Sequence, residues 1–338
     1  DRDVQWVAQN AISQAVASSR AKSGTVIVMD PKTGEILAQA SAPTFDPNVP
    51  SSITVDKLNN PSVQEVYEPG STGKVITVAA AMEEGLITPE TVFSIPYSMK
   101  VSDGVFRDHE KHPTQRLTTT GLLAVSSNTG SIKIGQKLGK DNLYKYLTKF
   151  GIGQSTNSKL PGESAGILHP VKNWSGTSLP TISFGQGYSL TAMQATSVFA
   201  TIANNGVRVK PSILAGVVNE SGKYTPAAAN ESTRVLSEQT AINMRAMMEN
   251  VVSKNGTAPS AAINGYRVAG KTGTAERYNT ACKCYSGYTA SFIGFAPADQ
   301  PKYVVSVTIQ DPKGMHWGGV LAGPVFKKVM GFVLQNQR

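Results

Sequence analysis

The segments of this chain that can form strands lie at its two ends, and that separation limits its possible folds more than any other feature. Residues 24–30 (Gly-Thr-Val-Ile-Val-Met-Asp) and 35–41 (Glu-Ile-Leu-Ala-Gln-Ala-Ser) are short apolar or β-branched runs. The turn cluster Pro31-Lys32-Thr33-Gly34 separates them, so they form a hairpin. Residues 266–275, 288–296 and 302–310 repeat that character, with turn signals from Pro297 to Pro301, and make three more strands. Between the two groups, 71–86, 118–138, 140–150, 191–205 and 237–252 carry apolar residues at helical spacing, and 4–20 and 323–335 add a helix at each end. This order predicts an α+β fold of the α/β-sandwich type. A mostly antiparallel five-stranded sheet drawn from about 24–41 and 266–338 is covered by helices, and a mainly helical subdomain of about 42–265 is inserted between its strands. Residues 1–23 form a helical lead-in.

Composition narrows the class. The chain has 338 residues, 40% hydrophobic and 16% charged, which is globular rather than disordered or coiled-coil. Its net charge is +9, but no Lys/Arg run exceeds the pair Lys327-Lys328, and that scatter argues against nucleic-acid binding. A basic surface suits an anionic envelope polymer or membrane face, and equally a solubilising charge excess. The longest apolar stretch, Val75 to Met82, is interrupted by Thr77 and falls well short of the roughly 18 residues a membrane span needs. The chain begins at Asp1 without a signal segment, so it is expected to be a piece of something longer whose anchor has been removed. Cys282 and Cys284 have neither thioredoxin nor zinc spacing; two loop thiols and a tight local disulfide both fit.

Three polar clusters sit where polar side chains are costly. Pro69-Gly70 breaks the chain before Ser71-Thr72-Gly73-Lys74, which opens a run that is apolar almost all round and therefore a buried helix. Spacing of three puts Lys74 one turn beyond Ser71 on the same face, where its amine can take the serine proton; alternatively, Ser71 is an N-cap and Lys74 a surface lysine. Ser19-Arg20-Ala21-Lys22 has the same spacing but no buried helix behind it. Ser126-Ser127-Asn128 interrupts the apolar stretch from Leu122 to Ile134, which marks a buried polar site; the other Ser-x-Asn triplets, 155–157 and 253–255, lie in loops. Lys271-Thr272-Gly273 lies in a strand whose glycines let another backbone approach, whereas Lys32-Thr33-Gly34 is a hairpin turn.

The ordered set Ser71-x-x-Lys74, Ser126-x-Asn128 and Lys271-Thr272-Gly273 resembles the serine acyl-transferases that include penicillin-binding proteins and β-lactamases. Tyr67-Glu68-Pro69-Gly70-Ser71-Thr72, Val268 to Glu276, Phe184-Gly185-Gln186-Gly187, Ile202 to Gly206 and Ala322 to Lys327 are similar to class B penicillin-binding proteins, over nearly the whole chain from about Gly24. Ser126 to Gly130 and Leu160-Pro161-Gly162-Glu163 resemble the division-type branch. Gly73 departs from the family, which usually carries a bulkier residue there.

The resemblance implies a β-lactamase/transpeptidase-like domain over 24–338 acting as a peptidoglycan D,D-transpeptidase. Ser71 is then the nucleophile and Lys74 the base. Ser126 relays the proton, Asn128 holds Lys74 and the substrate amide, Lys271 with Thr272 and Thr274 binds the terminal carboxylate, and Gly273 is a further substrate-binding position. The backbone N–H groups of Ser71 and Thr274 form the oxyanion hole. No cofactor or metal is implied. The implied partners are stem peptides, β-lactams, glycosyltransferase and divisome membrane proteins, and a membrane reached through an anchor, at the extracytoplasmic face.

Rival functions fit less well. A β-lactamase needs a base for deacylation, for which Glu163 is the candidate although its surroundings do not match; a β-lactam sensor shares the acylation site. A phosphate loop would need glycine at Glu68 and Ser or Thr at Val75. His109 and His112 have the wrong spacing for a zinc helix and belong to a solvated loop; Trp317-Gly318-Gly319 either shapes an acceptor side or is an ordinary loop.

Overall fold

The structure, a computed structural model, describes residues 1–279 and 282–336. The chain opens with helix α1 (Arg2–Ser19), whose first N–H groups are capped by the Asp1 carboxylate, and enters the hairpin β1 (Ser23–Met29) and β2 (Ile36–Ala42). The inserted region contributes α2 (Lys74–Glu83), α3 (Thr119–Val125), α4 (Asn128–Leu138), α5 (Lys140–Lys149), α6 (Ala192–Ala203) and α7 (Glu238–Val252). The sheet then resumes with β3 (Ala269–Asn279), β4 (Cys284–Ala296) and β5 (Tyr303–Gln310), and α8 (Gly318–Asn336) follows.

The sheet has the order β3-β4-β5-β1-β2, with every neighbouring pair antiparallel. Its middle joins the two ends of the sequence: β1 pairs with β5 from Ser23 opposite Gln310 to Met29 opposite Val304. The inner strands β1 and β5 are buried along nearly their whole length because both faces are covered. Val26 and Val28 pack with α1 and α8 on one face, whereas Ile27 and Met29 point into a second core built on α2, α6 and α7. Strand β3 is left at an edge, as a peptide-pairing strand requires.

Three local features differ from or complete the sequence expectation. The helical stretch 118–138 is two helices, α3 and α4, because Ser126 takes a left-handed conformation (φ 63°) that ends one and Ser127 caps the next. The inserted region also holds four two-stranded ribbons, among them Ser98–Val101 with Gly104–Arg107, which are too short and too exposed for periodicity to announce. Cys282 and Cys284 are joined as a local disulfide, which settles the alternatives left by their spacing.

On the face under the terminal helices, Phe292 and Phe326 are fully buried and meet edge to face with centroids 4.8 Å apart. Truncation there leaves a cavity between β4 and α8 that rigid neighbours cannot fill. Phe292→Ala is expected to lower the unfolding free energy by about 3–5 kcal/mol, read by urea denaturation. A loss below about 1 kcal/mol would mean that α8 is not a structural cover.

Candidate active site

The chain enters the site through Pro69 and Gly70, whose positive φ (54°) turns it into a short 3₁₀ segment, Gly70–Gly73, that runs directly into α2. Ser71 sits in this turn, 6% exposed, at the junction of two branches of a cleft. Lys74 begins α2, a helix in which every residue from Lys74 to Met82 is buried. A Cβ on Gly73 would lie 2.4 Å from the Tyr188 hydroxyl and 2.9 Å from Gly185 Cα. The space that a bulkier residue would occupy is therefore taken by Tyr188 and the Phe184–Gly187 turn, which accounts for the departure at this position.

Lys74 does not hydrogen-bond to Ser71 among the described residues. Its Nζ donates to the Ser126 carbonyl at 2.5 Å and to Asn128 Oδ1 at 2.7 Å, with Ser126 Oγ 3.3 Å away. Those two strong acceptors use both N–H groups of a neutral amine and leave its lone pair free. The left-handed Ser126 creates this arrangement, since it turns its carbonyl and its hydroxyl toward the same lysine.

Lys271, on β3, approaches from the other side and donates to Ser126 Oγ at 2.9 Å and to Thr272 Oγ1 at 3.3 Å. The Ser126 hydroxyl is thus suspended between two fully buried lysines. Gly273 permits the approach, because a Cβ there would meet Ser291 Oγ at 2.3 Å and the Pro69 carbonyl at 3.0 Å. Thr272 Oγ1 shares a 2.8 Å bond with Thr257, and Thr274 Oγ1 accepts from the Gly318 N–H at 3.1 Å, which ties β3 to the start of α8. Ser71, Lys74, Ser126, Asn128 and Lys271–Thr274 therefore converge on one place.

One cleft branch, of about 540 Å³, is lined by Ser71, Ser126, Thr272 and Thr274; the other, of about 460 Å³, by Ser71, Asn128, Glu276 and Tyr288. Trp317 and His109 border both, their rings edge to face at 5.5 Å, so the Trp317 segment is a wall of the cleft.

Sequence inspection missed Asp108. Its Oδ1 accepts the N–H groups of Asn128 (2.5 Å) and Thr129 (2.9 Å) at the start of α4, and its Oδ2 accepts the Ser127 hydroxyl at 2.7 Å. A carboxylate at a helix N-terminus meets unpaired N–H groups and the positive end of the helix dipole. His112 closes the cluster, with Nε2 3.1 Å from Asp108 and Nδ1 2.7 Å from the Pro113 carbonyl. His112 lies in the exposed loop the sequence predicts, and its ring also supports the site. Among the described residues no group of three His, Cys, Asp or Glu is placed to hold a metal. Glu163 is spent on its own loop, where it accepts from Ser155, Thr156 and Ser158.

Burial pushes the Lys74 amine down to about 7, a fall limited by the Asp108 charge. Lys271 is lowered well below the ordinary lysine range, first by burial and then by Lys74. Burial thus disfavours the charged form of both amines, and the charge of Lys74 disfavours that of Lys271 further. At the cleft mouth, desolvation followed by the charges of Lys74 and Lys271 lowers His109 to about 4, so it is neutral at pH 7.

The family profile described as penicillin binding protein transpeptidase domain matches residues 24–331. Penicillin-binding protein PbpB of Mycolicibacterium smegmatis is 40% identical over 347 residues, covering 99% of this chain and 54% of that protein. Peptidoglycan D,D-transpeptidase FtsI of Escherichia coli is 34% identical over 338 residues, covering 99% and 55%. The chain thus spans about half the length of the curated relatives it matches. Penicillin-binding protein 3 of Mycobacterium tuberculosis, solved with aztreonam, superposes with a TM-score of 0.95 at 38% identity, over 100% of this chain and 78% of the other. The transpeptidase domain of Burkholderia pseudomallei penicillin-binding protein 3 gives 0.86 at 31% identity, over 100% and 95%.

Because Lys74 sheds its proton near pH 7 in the folded chain and near its ordinary 10.5 when unfolded, the penalty of burying its charge is complete below about pH 7. That penalty fades as the pH rises toward 10.5. Lys74→Met lacks it, so the unfolding free energy of the variant relative to the parent should fall by roughly 3–5 kcal/mol between pH 6 and pH 10. A pH-independent difference in urea unfolding would show that the amine keeps its proton throughout.

Proposed function

The chain belongs to the penicillin-binding protein transpeptidase family, and on that premise we propose that it is the catalytic domain of a peptidoglycan D,D-transpeptidase, acylated by β-lactams at Ser71. The observation that carries this reading is the Ser126 hydroxyl held between Lys74 and Lys271 beside Ser71 at the meeting of two cleft branches. Two branches suit a reaction in which one peptide is attacked and a second supplies an amine. We take residues 24–338 as one domain, its sheet segments 24–41 and 266–338 enclosing the insertion 42–265, and residues 1–23 as its lead-in.

In this reading the terminal carboxylate of a stem peptide docks against Lys271, Thr272 and Thr274. Its negative charge favours the ammonium form of Lys271, and the proton then leaves Lys74 rather than Lys271. Neutral Lys74 accepts the Ser71 proton as Oγ attacks the penultimate D-Ala carbonyl, and the N–H groups of Ser71 and Thr274 receive the developing oxyanion. When the C–N bond breaks, the departing D-Ala amine takes the proton through Ser126, leaving an acyl-serine. The amine of a second stem then attacks that ester, its proton passing back along the same route as Ser71 regains its own. A β-lactam follows the first half, but its amine stays tethered and blocks the second. Asn128 keeps Lys74 in line, and Asp108 acts through Asn128 as a positioning residue.

Hydrolysis of the acyl-serine is disfavoured, since the donors around Glu163 leave it unsuited to activating water. The fit to the division-type motifs extends the proposal to septal wall synthesis with glycosyltransferase and divisome membrane proteins. It also extends to the extracytoplasmic face, with an N-terminal single-pass anchor in the full-length protein.

Fluorescent penicillin should label Ser71, as read by peptide mass mapping, and Ser71→Ala should abolish labelling; a label on another residue would overturn the site. Asp108→Asn removes the charge that holds the Lys74 pKa up. The acid limb of the acylation rate against pH should therefore move to lower pH, and movement in the opposite direction would contradict Lys74 as the base.

A further inference from the structure

Away from the cleft, a cavity of about 190 Å³ lies where the end of α5, the loop that follows it and α6 come together. Arg208 and Ser197 line it from different elements; the Ser197 hydroxyl is buried without a protein partner, and no ion pair engages Arg208 among the described residues. Ser197 is 5% exposed, and its hydroxyl makes no hydrogen bond. On the same helix Thr196 and Thr201 bond back to the carbonyls four residues earlier, at 2.7 and 2.8 Å, as a helical hydroxyl ordinarily does. Ser197 makes no such bond, although the residue lines the cavity.

Arg208 is half-buried, and burial alone lowers its pKa, with no nearby carboxylate offsetting the loss. The guanidinium lies against Gly151, where a Cβ would stand 2.1 Å from Nη1, so the glycine provides its seat. Glu163, the acid carried by the loop that frames the cavity, is engaged by Ser155, Thr156 and Ser158. Lys210, beside Arg208, is neutralised by Glu231 at 2.6 Å. A half-buried cation with no counter-ion and a buried hydroxyl with no partner line one cavity, an arrangement that a bound ligand would complete. Guanidinium donors in a fork, with a hydroxyl beside them, match the oxygens of a carboxylate or phosphate.

We propose that the Arg208–Ser197 cavity is a binding site for a small oxyanion, carried on a carboxylate or a phosphate group. It is separate from the Ser71 cleft and does not depend on the function proposed for that cleft.

The test uses the whole chain, titrated with sodium phosphate and separately with sodium acetate against sodium chloride at constant ionic strength, and follows binding by calorimetry and by the shift in melting temperature. Saturable binding of at least one of the two anions above the chloride control is expected, and the one that binds more tightly identifies the source of the oxyanion. Arg208→Gln should weaken that binding about tenfold or more, and Ser197→Ala about fivefold. The penicillin-labelling rate of both variants should equal that of the parent, which also shows that they are folded. Absence of saturation by either anion, or equal affinity in the parent and both variants, overturns the proposal.

Discussion

Two amines that would be solvated cations in water are withdrawn from it completely around a single hydroxyl, and the rest of the molecule is arranged to make that possible. Burying Lys74 and Lys271 carries a free-energy penalty that the folded state can bear only by supplying acceptors and by letting a proton go. The acceptors come from a break between helices, where Ser126 adopts a conformation unusual for serine and Asn128 starts the next helix. The break is held in turn by Asp108, which arrives on a ribbon outside the main layers. The left-handed Ser126, the interrupted helix and the Ser98–Arg107 ribbon thus all trace to the same pair of lysines.

The acid–base state of this cluster is set by depth rather than by a strong counter-ion. Desolvation is the first cause of the fall at both lysines, and Asp108 moderates it at Lys74 through charge alone, because its own hydrogen bonds are spent on α4 and His112. A lysine tuned in this way responds to whatever enters the cleft. An anion entering the cleft changes the local field far more than it would in water, so its binding and the charge of the two lysines are coupled by electrostatics.

What could be read in the sequence follows the range of the signals. Strands and long helices announce themselves within a window of ten to twenty residues, and the five strands and the principal helices lie within a few residues of where periodicity places them. The three polar clusters were legible for the same reason, since each breaks a local apolar pattern. Context also separated the decoys: Ser19 ends α1 with its hydroxyl on the Ala15 carbonyl, and Lys32-Thr33-Gly34 is the turn of the first hairpin. Asp108 escaped because its importance lies with partners some twenty residues away, across a ribbon that leaves no periodic trace. Tyr188 escaped likewise, since its packing against Gly73 joins segments that no local pattern connects.

The pairing of β1 with β5 at the centre of the sheet has a consequence for how the protein is made. Residue 23 finds its partner only when residue 310 exists, so the entire stretch between them must be synthesised before the sheet can close. Lys271 and its strand arrive in the same late stretch, after Ser71 and Ser126 have long been present. A chain interrupted before β3 therefore carries a hairpin without its sheet partner and a Lys74–Ser126 pair without Lys271, exposed to aggregation and to chaperones. The two-lysine cluster is in this sense completed only by the strands that close the sheet.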